Sequence, residues 1–341
     1  MVARADAPVR WGVLGAANIA VRNVIPAMQR SARTPVIAIA SRDRAKAEAA
    51  ARELRIPRAY GSYEELLADP EVEAVYNPLP NHLHVPWTIR AAEAGKHVLC
   101  EKPIALSSDE ARQLLAVRER TGVRIAEAFM VRNHPQWLAV REMVRAGRIG
   151  ALRVVAGHFA YFKRDPHDVR SVPEWGGGGL MDVGCYPITM TRWLFGEEPE
   201  AVIGSVDRDP ELRVDRVVSA LMRFPSGGQA TFTSGMQLVP YQRMQLHGTS
   251  GRIEVPIPFN APNDRPTRIL VDDGRELGDR SADAIEFPVV DQYTLQGDNF
   301  SAAVRGERSV VVGVEDAVGN MAVIDAIVRS AESGRWERPA R

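Results

Sequence analysis

Glu101-Lys102-Pro103 is the tripeptide from which the chemistry of this chain is read. It follows His97-Val98-Leu99-Cys100, an apolar run that reads as a buried strand. A lysine at the carboxyl end of a central strand in an open α/β sheet points into the crevice where such sheets bind ligands. The glutamate beside it is placed to hold the ammonium. The proline, with a fixed φ and no N–H, sets the loop that leaves the strand. This pairing is that of an enzyme rather than of a nucleotide-binding scaffold.

Upstream, Gly15-x-Ala17-x-x-Ala20 follows the strand-like Trp11-Gly12-Val13-Leu14 and opens a helix. Gly15 makes a tight turn, and small residues at Ala16 and Ala17 let backbone approach a pyrophosphate. Asn18 and Ile19 begin a helix whose N-terminus faces the phosphates. The plain alternative is an ordinary βα turn. At the end of the next strand an acidic residue would bind a ribose 2′-hydroxyl. The sequence there is Ser41-Arg42-Asp43, with Lys46 one turn later. An arginine fork and a hydroxyl suit a 2′-phosphate, so NADP(H) is expected over NAD(H). The alternative gives Asp43 the ribose, and Asp43 also suits the N-cap of the following helix.

The elements that must position these residues follow from length and pattern. The chain has 341 residues, which implies two domains. Its 45% hydrophobic and 25% charged content is that of an ordinary globular protein. Lys+Arg and Asp+Glu balance at 43 each, which removes the electrostatic case for nucleic acid or an anionic membrane. Two cysteines, Cys100 and Cys185, exclude a disulfide framework. Met1 to Val9 lacks an apolar core of signal-peptide length, and no window approaches a membrane span, so a cytoplasmic location is expected.

Over the first ~150 residues strands alternate with helices, which implies βαβ units and a parallel sheet. The strands are 11–14, 36–40, 74–76, 97–100 and 124–128. The helices are 43–54, 63–67, 84–94 and 108–120. After Gly150 alternating segments 152–159, 217–224, 229–234, 244–247 and 252–255 read as an antiparallel sheet with one apolar face, interrupted by a helix over 180–194. The expected class is α/β: a doubly wound Rossmann domain over 1–148, then an α+β domain with an open-faced, mostly antiparallel sheet over 149–341. The boundary falls near Gly147–Gly150, and the final helix, 315–332, is placed to pack back on the first domain.

These motifs resemble the glucose-fructose oxidoreductase/inositol dehydrogenase family (the Gfo/Idh/MocA type). The likeness runs through residues 12–20, 77–84 and 95–103, then Glu127-Ala128-Phe129-Met130-Val131-Arg132 and Gly179-Leu180-Met181-Asp182-Val183-Gly184-Cys185-Tyr186-Pro187. The resemblance implies a sugar or polyol oxidoreductase with an oligomer interface on the open sheet, giving a homodimer or homotetramer. By position it implies that Leu79, Pro80, Asn81 and His84 line the cofactor's ribose and nicotinamide end, with Arg132 also on the cofactor side. It places Glu101 and Lys102 by the nicotinamide and Asp182 at the substrate. Tyr186, where inositol dehydrogenase-like members have histidine, looks like the branch holding glucose-fructose oxidoreductase, D-xylose dehydrogenase and dihydrodiol dehydrogenase.

Hydride transfer at an alcohol carbon needs a proton partner at the oxygen. Tyr186 fits that role beside an ammonium from Lys102, and Asp182, four residues earlier, shares its helix face. Tyr186 before Pro187 also reads as core packing, and Asp182 as a helix cap. Trp175, Phe162 and Tyr161 form either a stacking wall for a sugar ring or ordinary core. Gly176–Gly179 reads as a flexible substrate loop, since no Lys-Ser/Thr follows as in a P-loop. His82, His84 and His97 lack acidic partners, so no metal is expected. Three other readings stay open: a dismutating oxidoreductase with tightly held NADP, a dihydrodiol dehydrogenase, and a non-enzymatic NADP sensor.

Overall fold

The computed structural model describes residues 7–278 and 280–340; the reading of 1–6 as free of a leader lies outside them. Two compact units make up the described chain. One comprises the residues up to Asn133 together with Asp291–Ala317, and the other His134–Val290 together with Val318 onward.

The first unit holds six parallel strands, β1 (Trp11–Leu14), β2 (Val36–Ala40), β3 (Arg58–Tyr60), β4 (Ala74–Asn77), β5 (His97–Cys100) and β6 (Ile125–Glu127). Their order is β3-β2-β1-β4-β5-β6. Strands β1 and β4 are buried along their whole length, which is why their sequences run apolar rather than alternating. The order reverses between β1 and β4, and ligands of open α/β sheets bind at such a switch point, beyond the carboxyl ends of the strands. Gly15, the segment after Asn77 and Glu101-Lys102 all leave the sheet at that edge.

The boundary differs from the expected one. Helix Pro135–Arg145 belongs to the second unit, because Trp137 Nε1 donates to Pro258 O at 2.6 Å and Gln136 Nε2 to Ile257 O at 3.0 Å. The segment that returns to the first unit is Asp291–Ala317, which takes only the first turn of the final helix with it, Glu315 pairing with Arg118 and Asp316 with Arg132. Trp11 explains the return: its ring meets Phe300 at 5.4 Å and its Nε1 donates to Ser301 Oγ at 3.2 Å.

The second unit carries an eight-stranded sheet of β7 (Leu152–Phe162), β8 (Ala201–Arg208), β9 (Asp215–Arg223), β10 (Gln229–Gly235), β11 (Gln237–Gly248), β12 (Arg252–Val255), β13 (Thr267–Asp272) and β14 (Asp283–Phe287). The order is β14-β13-β12-β11-β7-β10-β9-β8, antiparallel except for β7 beside β10. One face is buried, with Val155, Met222, Phe232 and Met244 on it. Helix Cys185–Phe195 meets the sheet where Gly157 leaves room: a Cβ there would lie 2.9 Å from Pro187. The body of the final helix, Val314–Ser333, sits with this unit, its Ile327 against Gly204 of β8.

The other face is mixed rather than apolar. Ser219 and Thr233 pair across β9 and β10, sharing a 2.8 Å hydroxyl bond, and Val154 is 39% exposed on β7. Among the described residues no helix is long and apolar enough to cross a membrane.

Candidate active site

The turn after β1 is built as its residues require. Gly15 has φ +95°, donates its N–H to Ala40 O at 2.8 Å, and would bring a Cβ to 3.0 Å from Leu79 Cδ2. A side chain is excluded on both counts. Ala16, Ala17 and Ile19 are half-buried, and the chain turns helical at the exposed Asn18. One π turn, Ala20–Val24, then leads into Ile25–Met28.

At the end of β2, Asp43 takes the capping role, accepting from the Lys46 N–H at 3.3 Å at the start of helix Arg44–Leu54. Ser41 is buried, and its Oγ accepts from the Asp43 N–H at 3.2 Å. Arg42 and Lys46 are exposed. Because the Gly15 N–H bonds Ala40 O, Ser41 and Arg42 leave β2 beside the Gly15 turn. The Tyr63 hydroxyl lies 3.7 Å from where a Gly15 Cβ would stand; burial raises its pKa, and the Arg42 charge acts against that rise. Tyr63 reads from sequence only as a helix start, and nothing in its spacing marks its place beside Gly15.

Beyond β4, Asn77 organises the next loop. Its Nδ2 donates to His84 O at 3.1 Å and Thr88 Oγ1 at 3.2 Å, and its Oδ1 accepts from the Leu79 N–H at 3.4 Å. Leu79 is buried; Pro80 and Asn81 are half-buried. His84 is 1% exposed, with Nδ1 2.7 Å from Pro103 O and Nε2 2.6 Å from Leu79 O. It clamps the Leu79 loop to the Pro103 loop instead of presenting a ring nitrogen to a ligand. Burial lowers its pKa to about 4 against the pull of both carbonyls, so the ring is neutral and donates to one of them.

Glu101 accepts from the buried Tyr76 hydroxyl at 2.6 Å and from the Lys102 backbone N–H at 3.2 Å. Burial, then the Glu101 charge, push the Tyr76 hydroxyl well above its ordinary pKa. The half-buried Lys102 precedes a cis peptide to Pro103, and Glu127 accepts from the Ile104 N–H at 2.8 Å. Arg132 is 5% exposed and ion-paired to Asp316 at 2.9 Å, so its guanidinium is engaged within the first unit.

In the second unit Asp182 sits on a π turn, Leu180–Gly184, that runs into helix Cys185–Phe195. Its Oδ2 accepts from Tyr161 OH at 2.5 Å and Arg170 Nε at 2.9 Å. Burial first and Asp182 second raise the Tyr161 pKa; Asp182, the largest cause, raises that of Arg170. Arg170 carries no motif, so sequence reasoning missed it. The expectation that Asp182 caps its helix gives way: Asp215 accepts from the Leu180 N–H.

Tyr186 is 5% exposed, its ring 5.4 Å from both Phe159 and Phe259. Phe162 and Trp175 are exposed, which removes a core role for either. The glycine run is a packed strap rather than a flexible loop: Gly178 N donates to Arg170 O and Gly177 N to Val172 O, both at 3.0 Å. Among the described residues no group of three or more His, Cys, Asp or Glu is placed to hold a metal, and the two cysteines are buried and form no disulfide.

The sequence profile of an oxidoreductase family with an NAD-binding Rossmann fold, GFO/IDH/MocA, matches residues 9–129, and that family's C-terminal domain matches 137–254. The chain belongs to the GFO/IDH/MocA oxidoreductase family. It is 47% identical to an uncharacterized oxidoreductase of Rhizobium meliloti, over 96% of this chain and 98% of that one. It is 39% identical to an NADP(+) D-xylose 1-dehydrogenase of Haloferax volcanii, over 95% and 98%. Among solved structures, a 3-ketoreductase from Actinomadura kijaniata in complex with NADP and TDP-benzene superposes with a TM-score of 0.87 at 31% identity, covering 95% of this chain and 98% of that one. That enzyme was also solved as tyrosine-to-phenylalanine and lysine-to-alanine variants.

Proposed function

We propose that this GFO/IDH/MocA oxidoreductase transfers hydride between NADP(H) and a hydroxyl- or carbonyl-bearing carbon of a sugar, meaning an aldose, a ketose or a cyclic polyol. The observation that carries the reading is the end of β2: the Gly15 N–H bonds Ala40 O, so Ser41, where an acidic residue would select NAD(H), and the exposed Arg42 follow directly beside the Gly15 turn. The residues present fit such a cofactor. Gly15 holds the turn that only a glycine makes, the helix start at Asn18 is exposed, and Arg42 and Lys46 supply cations beside it. The xylose dehydrogenase and the ketoreductase, both of which use or bind NADP, point the same way.

The nicotinamide supplies the hydride acceptor or donor when bound; the chain supplies the rest. We assign Tyr186 to hold or release the proton of the substrate oxygen, and Lys102 to hydrogen-bond that oxygen through its ammonium. Glu101, fixed by Tyr76, keeps the start of the Lys102 loop in place. Asp182, oriented by Tyr161 and Arg170, accepts from a sugar hydroxyl, and the exposed rings of Phe162 and Trp175 offer stacking surface. The enzyme works in the cytoplasm, as a homodimer or homotetramer joined through the mixed sheet face.

Tyr186→Phe tests the assignment, because it removes a hydroxyl and leaves the ring packed on Phe159 and Phe259. Turnover with sugar should fall by the ~10²–10⁴ of a lost acid–base group while NADPH binding, read by its fluorescence, persists. Lys102→Ala should cost as much, and the double variant little more, since groups acting as a unit are non-additive. Near-normal turnover by Tyr186→Phe removes the tyrosine from the mechanism.

A further inference from the structure

We infer that Asp215 is a positioning residue of this enzyme: its buried carboxylate anchors the first turn of the helix that presents Asp182 and Tyr186. The inference rests on the roles proposed above for those two residues. Asp215 opens β9 and is 8% exposed. Its Oδ2 accepts the Leu180 N–H at 2.6 Å and would lie 3.4 Å from a Cβ on Gly179. The Leu180 amide stands at the start of the helix, where amides have no intrahelical partner. A carboxylate there satisfies it and complements the positive end of the helix. The helix has no cap from its own chain neighbours, as Gly179 lacks a side chain.

The glycine strap makes that anchor reachable. A Cβ on Gly178 would lie 2.0 Å from Asp215 Oδ1, and Gly178 has φ +112°. A Cβ on Gly177 would lie 2.4 Å from Arg170 O. The strap is thus held between the Arg170 backbone on one side and the Asp215 carboxylate on the other. Arg170 is also the residue whose Nε holds Asp182, and the Asp182 N–H donates to Gly178 O at 3.1 Å. One packed unit therefore fixes both the backbone and the side chain of Asp182, with Tyr186 one turn further on. Burial raises the Asp215 pKa to about 6 despite Leu180 and Arg208. A neutral replacement therefore relieves a buried charge and spares overall stability while loosening the helix start.

Asp215→Asn in the full chain separates positioning from a plain structural role. Amide hydrogen exchange over 179–182 should speed up 10- to 100-fold, the equivalent of a lost charge-assisted hydrogen bond. The kcat with sugar should fall about tenfold or more through misplacement of the reacting groups. The KM for NADP(H) should stay within about twofold and Tm at pH 8 should hold or rise. Unchanged exchange with unchanged kcat overturns the inference, and so does a lowered Tm with exchange raised across the whole chain. In the wild type the Leu180 amide should be protected; its rapid exchange overturns the inference even if the variant fails to fold. Faster exchange over 179–182 in a protein whose wild type reduces or oxidises no sugar leaves the anchor standing and removes the functional reading instead.

Discussion

Replacing Gly178 by alanine probes the strap with a magnitude the structure supplies. The new methyl would stand 2.0 Å from Asp215 Oδ1, at φ +112°. Holding an L-residue at such a backbone conformation costs roughly 1–3 kcal/mol. Overpacking a filled site costs roughly another 1–3 kcal/mol. The Asp215 carboxylate cannot swing away without releasing the Leu180 N–H, so the two costs add, to about 2–6 kcal/mol. Gly122→Ala is the control: it closes helix Ser108–Thr121 at φ +70° with nothing within 4 Å, so it carries only the backbone cost of about 1–2 kcal/mol. Urea unfolding followed by circular dichroism reads both. The Gly178 variant should show the larger drop in midpoint at similar slope, and a loss of sugar turnover that exceeds any loss of NADPH binding. Equal stability losses in the two variants would refute the packed strap and restore a flexible loop.

Ser41→Asp with Arg42→Ala should shift cofactor preference from NADP(H) toward NAD(H) by about 10–100-fold, the worth of an arginine–phosphate contact of roughly 1.5–3 kcal/mol; equal wild-type affinities for the two cofactors sink the idea. His134 is buried, its pKa lowered to about 4, and its Nδ1 accepts from the Gln136 N–H at 3.2 Å to cap helix Pro135–Arg145. A depressed histidine stabilises above its unfolded pKa near 6.5 and loses that stability as pH falls toward 4, so His134→Asn should keep the cap and flatten this acid limb by up to about 3 kcal/mol. Identical pH–stability curves would count against it. Light scattering at micromolar concentration should find a homo-oligomer with an interface above ~1,000 Å², and a monomer contradicts assembly through the sheet face.

What the sequence made legible follows periodicity and turn chemistry. Trp11–Leu14, Val36–Ala40, Tyr63–Leu67, His97–Cys100 and Arg252–Val255 stand as read, because short apolar runs bounded by turn residues leave little choice. Strand β3, with the half-buried Arg58-Ala59-Tyr60, and strand β14 carry no such contrast. The unit boundary was hidden because helix Pro135–Arg145 and the returning Asp291–Ala317 segment are assigned by tertiary partners, Pro258 for Trp137 and Trp11 for Ser301. The motif residues of the site were visible, and their supports were not. Tyr76, Arg170 and Asp215 act through contacts with Glu101, Asp182 and Leu180, 12 to 35 residues away in the chain, which local pattern does not encode. The glycine run illustrates the gap: composition reads as freedom, whereas Arg170 O and Asp215 leave no room for a side chain.

Hydride transfer between NADP(H) and a sugar is followed by the reduced-nicotinamide absorbance band. Purified protein is mixed with NADP+ or NAD+ and each member of a panel of aldoses, ketoses, cyclic polyols and aromatic dihydrodiols. The band should grow with NADP+ and at least one sugar or polyol, more slowly with NAD+, and not in Tyr186→Phe. Growth only with a dihydrodiol, faster growth with NAD+, or no growth with any sugar while NADPH still binds would contradict it.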